Sequence, residues 1–410
     1  MARLNATAKK LSVRDALLVS ILIVAATDNW YQGLRVLESL PRLDRAASIL
    51  CLLASLMVCA RRPSILKQIH LEAWLFCAAL VGWAFAAGLS SGDWEKPNRT
   101  MGLFVVAILA GAVLLEGSRR QRWFANTIAL LGAAAVVMAL LGLDVSDSGG
   151  FVRSGRLRGF AGGTISIARA GSAAMTVALV RLLTRKRTSL LDIGIVVAAG
   201  LATLQSGSRG PAVGAIGAVV AVLFAVRGSA SAPSRNRAIQ HQKVLLGLLA
   251  ALLVLVLATS LASQRALAEL FTVTDGDTTA RVEFWRYSIE TGILTPLGVG
   301  IGNFSFEGAS YPHNIALELF VEGGWIVFGL FAFSVRRSWS NWATQAEHAP
   351  ELLGLLVYSL GAALVSFDVA SNVLFAIVLG AGLRRESMHL AVTSASGHVR
   401  GSVTKTLESP

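Results

Sequence analysis

Apolar residues run along this chain in long unbroken blocks, and short stretches rich in arginine, glycine and serine separate them. The uninterrupted windows fall near 14–32, 44–60, 71–90, 101–117, 123–143, 165–183, 189–206, 211–227, 243–263, 315–334, 350–367 and 370–384. A bilayer crossing takes roughly 20 apolar residues. The pattern therefore predicts an all-α polytopic membrane protein of about 12 transmembrane helices. Composition agrees, with 54% hydrophobic and 15% charged residues and a mean hydropathy of +0.62, against roughly 25% charge in a soluble domain. Too little sequence lies between the blocks for a large separate catalytic domain, so 1–410 reads as one integral membrane domain. Within it, 264–314 is the long loop and 386–410 reads as a flexible tail.

The net charge of +13 changes the picture only through its distribution. With the N-terminus in the cytoplasm, about 24 of the 37 basic residues fall in the cytoplasmic loops, for example Arg61, Arg62, Arg119, Arg120, Arg122, Arg336, Arg337, Arg384 and Arg385. That is the positive-inside bias, and it places both termini in the cytoplasm. Because the basic residues are scattered over seven short loops, with no aromatic-interleaved face, no nucleic-acid partner is expected. Lys9 and Lys10 before a short apolar run ending near Ala25 and Ala26 imitate a secretory signal. The later segments make a consistent topology with that run retained. Cys51, Cys59 and Cys77 lie inside apolar blocks and read as packing residues.

Candidate chemistry collects on the other side. Five of the six histidines fall on or near the cytoplasmic side, and only His313 faces outward, in Ser310-Tyr311-Pro312-His313-Asn314. Pro312 suits the first turn of a helix, which would put His313 at the positive end of that helix as a neutral imidazole able to accept a proton. Glu318 and Glu322 are one turn apart on the same helix, with Asn314 on the Glu318 face. Glu318 is expected to orient the site, and Glu322 to pair with a buried arginine. Arg156 and Arg158, Arg209 in Ser208-Arg209-Gly210, and Arg281 and Arg286 stand in outer loops where lysine is scarce, Lys96 being the exception. Guanidinium forks match phosphate oxygens in a bidentate way that lysine cannot, so an anionic phosphate ligand at the membrane surface is expected. Arg169, inside a span, is either an ion-pair partner or part of a pathway. Gly298-Val299-Gly300-Ile301-Gly302 reads as turns, because no strand-and-helix unit surrounds it. Asp275-Gly276-Asp277 resembles an Asp-x-Asp metal clamp but is also a common turn signal.

Taken in order, Ser208-Arg209-Gly210, Arg281 to Trp285, Gly298 to Phe304, and Pro312-His313-Asn314 with Glu322 and Gly324 resemble the O-antigen ligase and polymerase superfamily of bacterial envelopes. The family spacing from His-Asn to a glycine fits His313, Asn314 and Gly324, whereas Val327 and Gly162-Gly163-Thr164 depart from the family pattern. The resemblance implies a GT-C-like helical transferase of the bacterial inner membrane, with 264–314 as its periplasmic loop. It implies transfer of a glycan from undecaprenyl diphosphate to an acceptor hydroxyl of lipid A-core, inverting and with no metal or other cofactor. His313, Arg209 and Arg281 would then be catalytic, and Arg156, Arg158, Asn314 and Glu318 substrate-binding.

A polymerase using the same donor and a glycan acceptor fits these residues equally well, and an oligosaccharyltransferase acting on protein hydroxyls is a third variant. A transporter or flippase of lipid-linked glycans is the alternative of another class. It would need charged residues along a path through the bilayer, whereas this polar constellation gathers on one face.

Overall fold

The computed structural model describes residues 12–31, 43–141, 164–185, 189–206, 209–229, 276–346, 348–365 and 368–385. Among them the architecture is helical, and the only strand-like pairings are two isolated bridges, Ile69 with Arg384 and Phe306 with Ala309. In chain order the helices are α1 (Val13–Tyr31), α2 (Leu43–Arg61), α3 (Ser64–Gln68), α4 (Leu71–Ser91), α5 (Glu95–Arg99), a π-helical turn (Thr100–Val105) and α6 (Val106–Leu114). They continue with α7 (Gly117–Leu140), α8 (Thr164–Thr184), α9 (Leu190–Gln205), α10 (Arg209–Ser229), α11 (Gly276–Leu294), α12 (Ile315–Thr344), α13 (Pro350–Ala363) and α14 (Val373–Gly382).

Five of these segments, Leu71–Ser91, Glu95–Leu114, Gly117–Leu140, Ile165–Thr184 and Ile315–Thr344, are long and apolar enough to cross a bilayer, and four more apolar helices are shorter. The chain is a multi-pass, all-α membrane protein. Among the described residues it exposes large apolar side chains of the kind a lipid-facing surface carries, such as Leu53, Leu56 and Met57 of α2, Phe85 and Leu89 of α4, and Phe224 of α10. The expected span at 243–263 lies outside the described residues. The expected loop 264–314 contains α11, a 19-residue helix. The charges interspersed along it, Arg281, Glu283, Arg286 and Glu290, hid it from a search for apolar blocks.

Charge sorts the ends of the bundle as the alternating topology requires. At one end Arg62 and Arg384 reach Glu116 at 3.7 and 2.7 Å, and Arg120 pairs with Asp15. There too Arg181 bridges Asp192 and Glu351 at 3.5 and 3.6 Å. These residues come from loops and helix ends that the sequence assigned to one side of the membrane. The opposite end gathers the start of α5, the 295–314 segment, the first half of α12 and the α13–α14 connection.

Close packing of helices makes this possible. A Cβ added at Gly111 would lie 2.1 Å from the Ile377 carbonyl oxygen, and one at Gly380 would lie 1.9 Å from that of Ile108. The α6 and α14 backbones therefore touch, as small residues allow in membranes. Helix α14 has ten residues, about 15 Å of rise, half the hydrocarbon thickness of roughly 30 Å. The connection preceding it is accordingly sunk into the bundle, where Asp368, Val369, Ala370 and Asn372 are buried. Irregular backbone at such depth is tolerated only where protein surrounds it or it lines a cavity. The connection packs against α12 at this end, Val369 N–H donating to Glu318 Oε2 at 3.0 Å.

Candidate functional site

This end of the bundle is organised by the start of α12. Asn314 is the N-cap, its Oδ1 accepting from the Ala316 and Leu317 N–H groups at 3.0 and 3.2 Å. That corrects the expected helix start: Pro312 and His313 precede the helix, because an asparagine cap satisfies two of its free N–H groups and a histidine would not. His313 instead turns the chain in the left-handed region, at φ 56°. Its ring lies 4.5 Å from the Tyr311 ring and stacks on Phe284 at 6.4 Å and 22°. It remains part-exposed. Burial, followed by the nearby Asp368 and Glu318 carboxylates, pushes the Tyr311 phenol above its ordinary range.

Nine residues into α12 the helix breaks. Gly324 has φ 69° and ψ −170°, a conformation open essentially to glycine alone. The carbonyls this break frees are taken up by the glycine-rich turns: Val299 N–H donates to Val321 O and Gly300 N–H to Glu322 O, both at 2.9 Å. In return Trp325 N–H donates to Pro296 O at 2.9 Å. A Cβ at Gly298 would fall 2.3 Å from the Glu322 carbonyl, and one at Gly324 would fall 2.3 Å from that of Pro296. Gly298-x-Gly300-x-Gly302 is thus a run of turns laid into a helix break.

Glu322 does not pair with a buried arginine, as expected, but with Lys96. The Lys96 Nζ lies 2.6 Å from Glu322 Oε1 and 2.9 Å from Glu318 Oε1, and donates to the Ser310 carbonyl at 3.1 Å. A compact ammonium with three donors can serve three acceptors at one point, which a planar guanidinium cannot. The outer oxygens are used as well: Glu322 Oε2 accepts from Gly302 N–H and Glu318 Oε2 from Val369 N–H, both at 3.0 Å. One buried cluster therefore ties α5, α12, the glycine turns, the loop before His313 and the α13–α14 connection together. Beside it Arg99 faces Asp368 at 3.8 Å. Lys96 was the residue the sequence undervalued; its one signal was a lone lysine at the mouth of an apolar block.

Helix α11 packs against the loop before α12 and against α12 itself. Trp285 Nε1 donates to the Pro312 carbonyl at 3.1 Å, and Trp325 Nε1 to that of Gly292 at 3.0 Å. Arg281 stands one turn before Phe284 and Trp285, on their face of the helix, and so on the side where those residues hold His313. The structure thus brings His313, Asn314, Glu318 and Arg281 to one end of the bundle. Arg209 opens α10 at that same end, since α9 begins beside Arg181 at the other; its side chain, like all of Arg156, Arg158 and Asp275, lies outside the described residues. Arg169 donates to Asn372 Oδ1 at 3.1 Å in the α13–α14 connection.

Residues 193–332 match the family model described as O-antigen ligase. The match starts in α9, takes in Arg209, Arg281 and His313, and ends in α12, so it supports the O-antigen ligase superfamily over the segment that builds this end of the bundle. The activity supported is broadly of the ligase or polymerase type. No curated protein and no solved structure matches the chain.

Proposed function

We propose that this chain is a membrane glycosyltransferase of the O-antigen ligase type. It would move a glycan from undecaprenyl diphosphate to an acceptor hydroxyl of lipid A-core, on the periplasmic side of the inner membrane. The observation that carries the reading is the placement of His313: a part-exposed imidazole on a left-handed turn, fixed between Phe284 and Tyr311 above a buried ion cluster, with Arg281 on the adjoining helix wall. A lipid diphosphate is already a good leaving group, so the protein need only neutralise charge developing on its oxygens and take a proton from the attacking hydroxyl. Arg281, Arg209, Arg156 and Arg158 supply the first function and His313 the second. Asn314 and Glu318 hold the frame around the substrate. A single displacement inverts the anomeric centre.

The test is a transfer assay with purified protein, a lipid-diphosphate glycan and lipid A-core, with and without chelator. Glycan appearing on lipid A-core in chelator supports the reading. Glycan appearing instead on a second donor molecule identifies a polymerase, and no transfer to either acceptor, with donor moved across the membrane, identifies a transporter.

A further inference from the structure

Two spanning helices, α4 and α12, share a level at the end of the bundle opposite His313. Arg337 Nε of α12 donates at 3.3 Å to Nε2 of His70, the residue before α4. From Leu71 to Trp83, and from Arg337 back to Trp325, each chain runs 12 residues of helix, about 18 Å of rise. Both tryptophans hold the turn that follows α11: Trp83 Nε1 donates to the Leu297 carbonyl at 2.7 Å and Trp325 N–H to that of Pro296 at 2.9 Å. Two helices therefore set Pro296 and Leu297 at one depth. From Trp83 to the end of α4 at Ser91 the remaining rise is about 12 Å. In a hydrocarbon layer of roughly 30 Å, the turn lies well inside the bilayer. Trp285 is bonded to Pro312, before α12 begins, whereas Gly292 packs on Phe320 within it. Helix α11 thus descends beside the first half of α12, and the chain turns at depth and climbs back to His313.

Composition follows this depth. The charges of α11 end with the exposed Arg286–Glu290 pair, at 3.7 Å, and no charged residue stands between Glu290 and Glu307. Yet the deep end is not covered by protein: Leu294 is 80% and Leu297 66% exposed, and the surface continues into exposed Trp325 and Ile326 of α12. Irregular backbone at membrane depth has to find its hydrogen-bond partners within the protein. The turn does so. Gly298 N–H donates to Thr295 O at 2.8 Å, Val299 and Gly300 donate to the carbonyls freed by the α12 break, and Gly302 N–H reaches Glu322 Oε2 at 3.0 Å. A turn standing in water would need no such matching. We propose that α11 and the turns at 295–302 form a re-entrant element, whose Leu294 and Leu297 surface is an interface with the acyl chains of the membrane leaflet on the His313 side. It is independent of the reaction proposed above.

The test uses the full chain in phospholipid vesicles, with Cys51, Cys59 and Cys77 replaced by alanine. A spin label is attached in turn at Ser91→Cys, Phe85→Cys, Glu283→Cys, Leu294→Cys and Leu297→Cys. Its collisions with oxygen, which concentrates among acyl chains, and with a water-soluble nickel chelate report its depth. Labels at Leu294 and Leu297 should collide mainly with oxygen, as at the lipid-facing Phe85, and the Leu297 label should read about 12 Å deeper than the one at Ser91. The Glu283 label should meet the chelate. Should the cysteine-free chain not fold, a benzophenone side chain at Leu294 of the otherwise native chain replaces the label, and irradiation should add the mass of one phospholipid. Chelate collisions as frequent at Leu297 as at Ser91 would put the turn in water. A Leu297 label reached by neither collider, or a benzophenone that gains no lipid, would show the surface covered by another part of the chain. Each of these results overturns the proposal.

Discussion

The Lys96 ammonium and the Glu322 carboxylate meet at 2.6 Å although 226 residues separate them in the chain. Through this contact and its companion to Glu318, the segment before His313 is pinned to two transmembrane segments at once. Removing one partner of a buried pair leaves an uncompensated charge and costs about 3–5 kcal/mol. Lys96→Met should therefore lower stability by about that amount in a denaturant or SDS titration. Adding Glu318→Gln and Glu322→Gln to it should recover much of the loss, since the stranded carboxylates cause it. A single Lys96→Met variant as stable as the parent would show the cluster to be inert.

The helix break makes a second prediction. Gly324→Ala places a Cβ 2.3 Å from a backbone oxygen in a conformation that costs other residues about 1–3 kcal/mol before any overlap. Strong destabilisation, seen as a lowered Tm or loss of folded protein, is expected. Gly329→Ala, further along the same helix with open space around it, should be neutral or stabilising by up to about 1 kcal/mol. If both variants behave alike, the break is not required.

His313 can be separated from its own backbone. At φ 56° glycine is at least as comfortable as histidine, so His313→Gly should fold, with Tm lowered only by the lost ring contacts to Tyr311 and Phe284, about 0.5–1.5 kcal/mol each. Transfer in the assay above should nevertheless fall about 10² to 10⁴-fold if the imidazole takes the proton. Arg281→Lys should also lower transfer, because an ammonium cannot make the bidentate contact. Full activity of His313→Gly would remove the imidazole from the mechanism.

Acid should destabilise the opposite end. His70 is buried beside Arg337, Asn341 and Arg385 at 3.3 to 3.4 Å, with Glu72 at 3.8 Å. Burial, then the Arg337 charge, lowers its pKa from the ordinary 6.5, Glu72 opposing. The folded state therefore holds His70 neutral, and the unfolded chain takes up the proton first as pH falls. The stabilisation is complete above pH 6.5 and is lost as pH drops through the lowered value. Thermal unfolding at pH 7.5 and pH 5 should show this decline, and His70→Gln should flatten it. An unaltered pH dependence in that variant would assign the decline to other groups.

Much of the molecule was legible along the chain. The helices over 13–31, 43–61, 71–91, 164–184 and 190–205 follow their apolar windows to within a residue or two, because the cost of unpaired backbone in lipid makes an apolar block a helix wherever it packs. The grouping of arginines at one end and the reading of Gly298, Gly300 and Gly302 as turns also needed only local rules of charge and conformation. The tertiary structure decided the rest. That Lys96 joins Glu318 and Glu322, that the glycine turns fill a break at Gly324, and that Phe284 stacks on His313 all depend on which helices lie side by side. Local pattern records what a residue can do with its near neighbours. A buried ion pair or a ring stack is set by close approach of distant segments, and a lone lysine at the mouth of an apolar block looks the same in sequence whether or not that approach occurs.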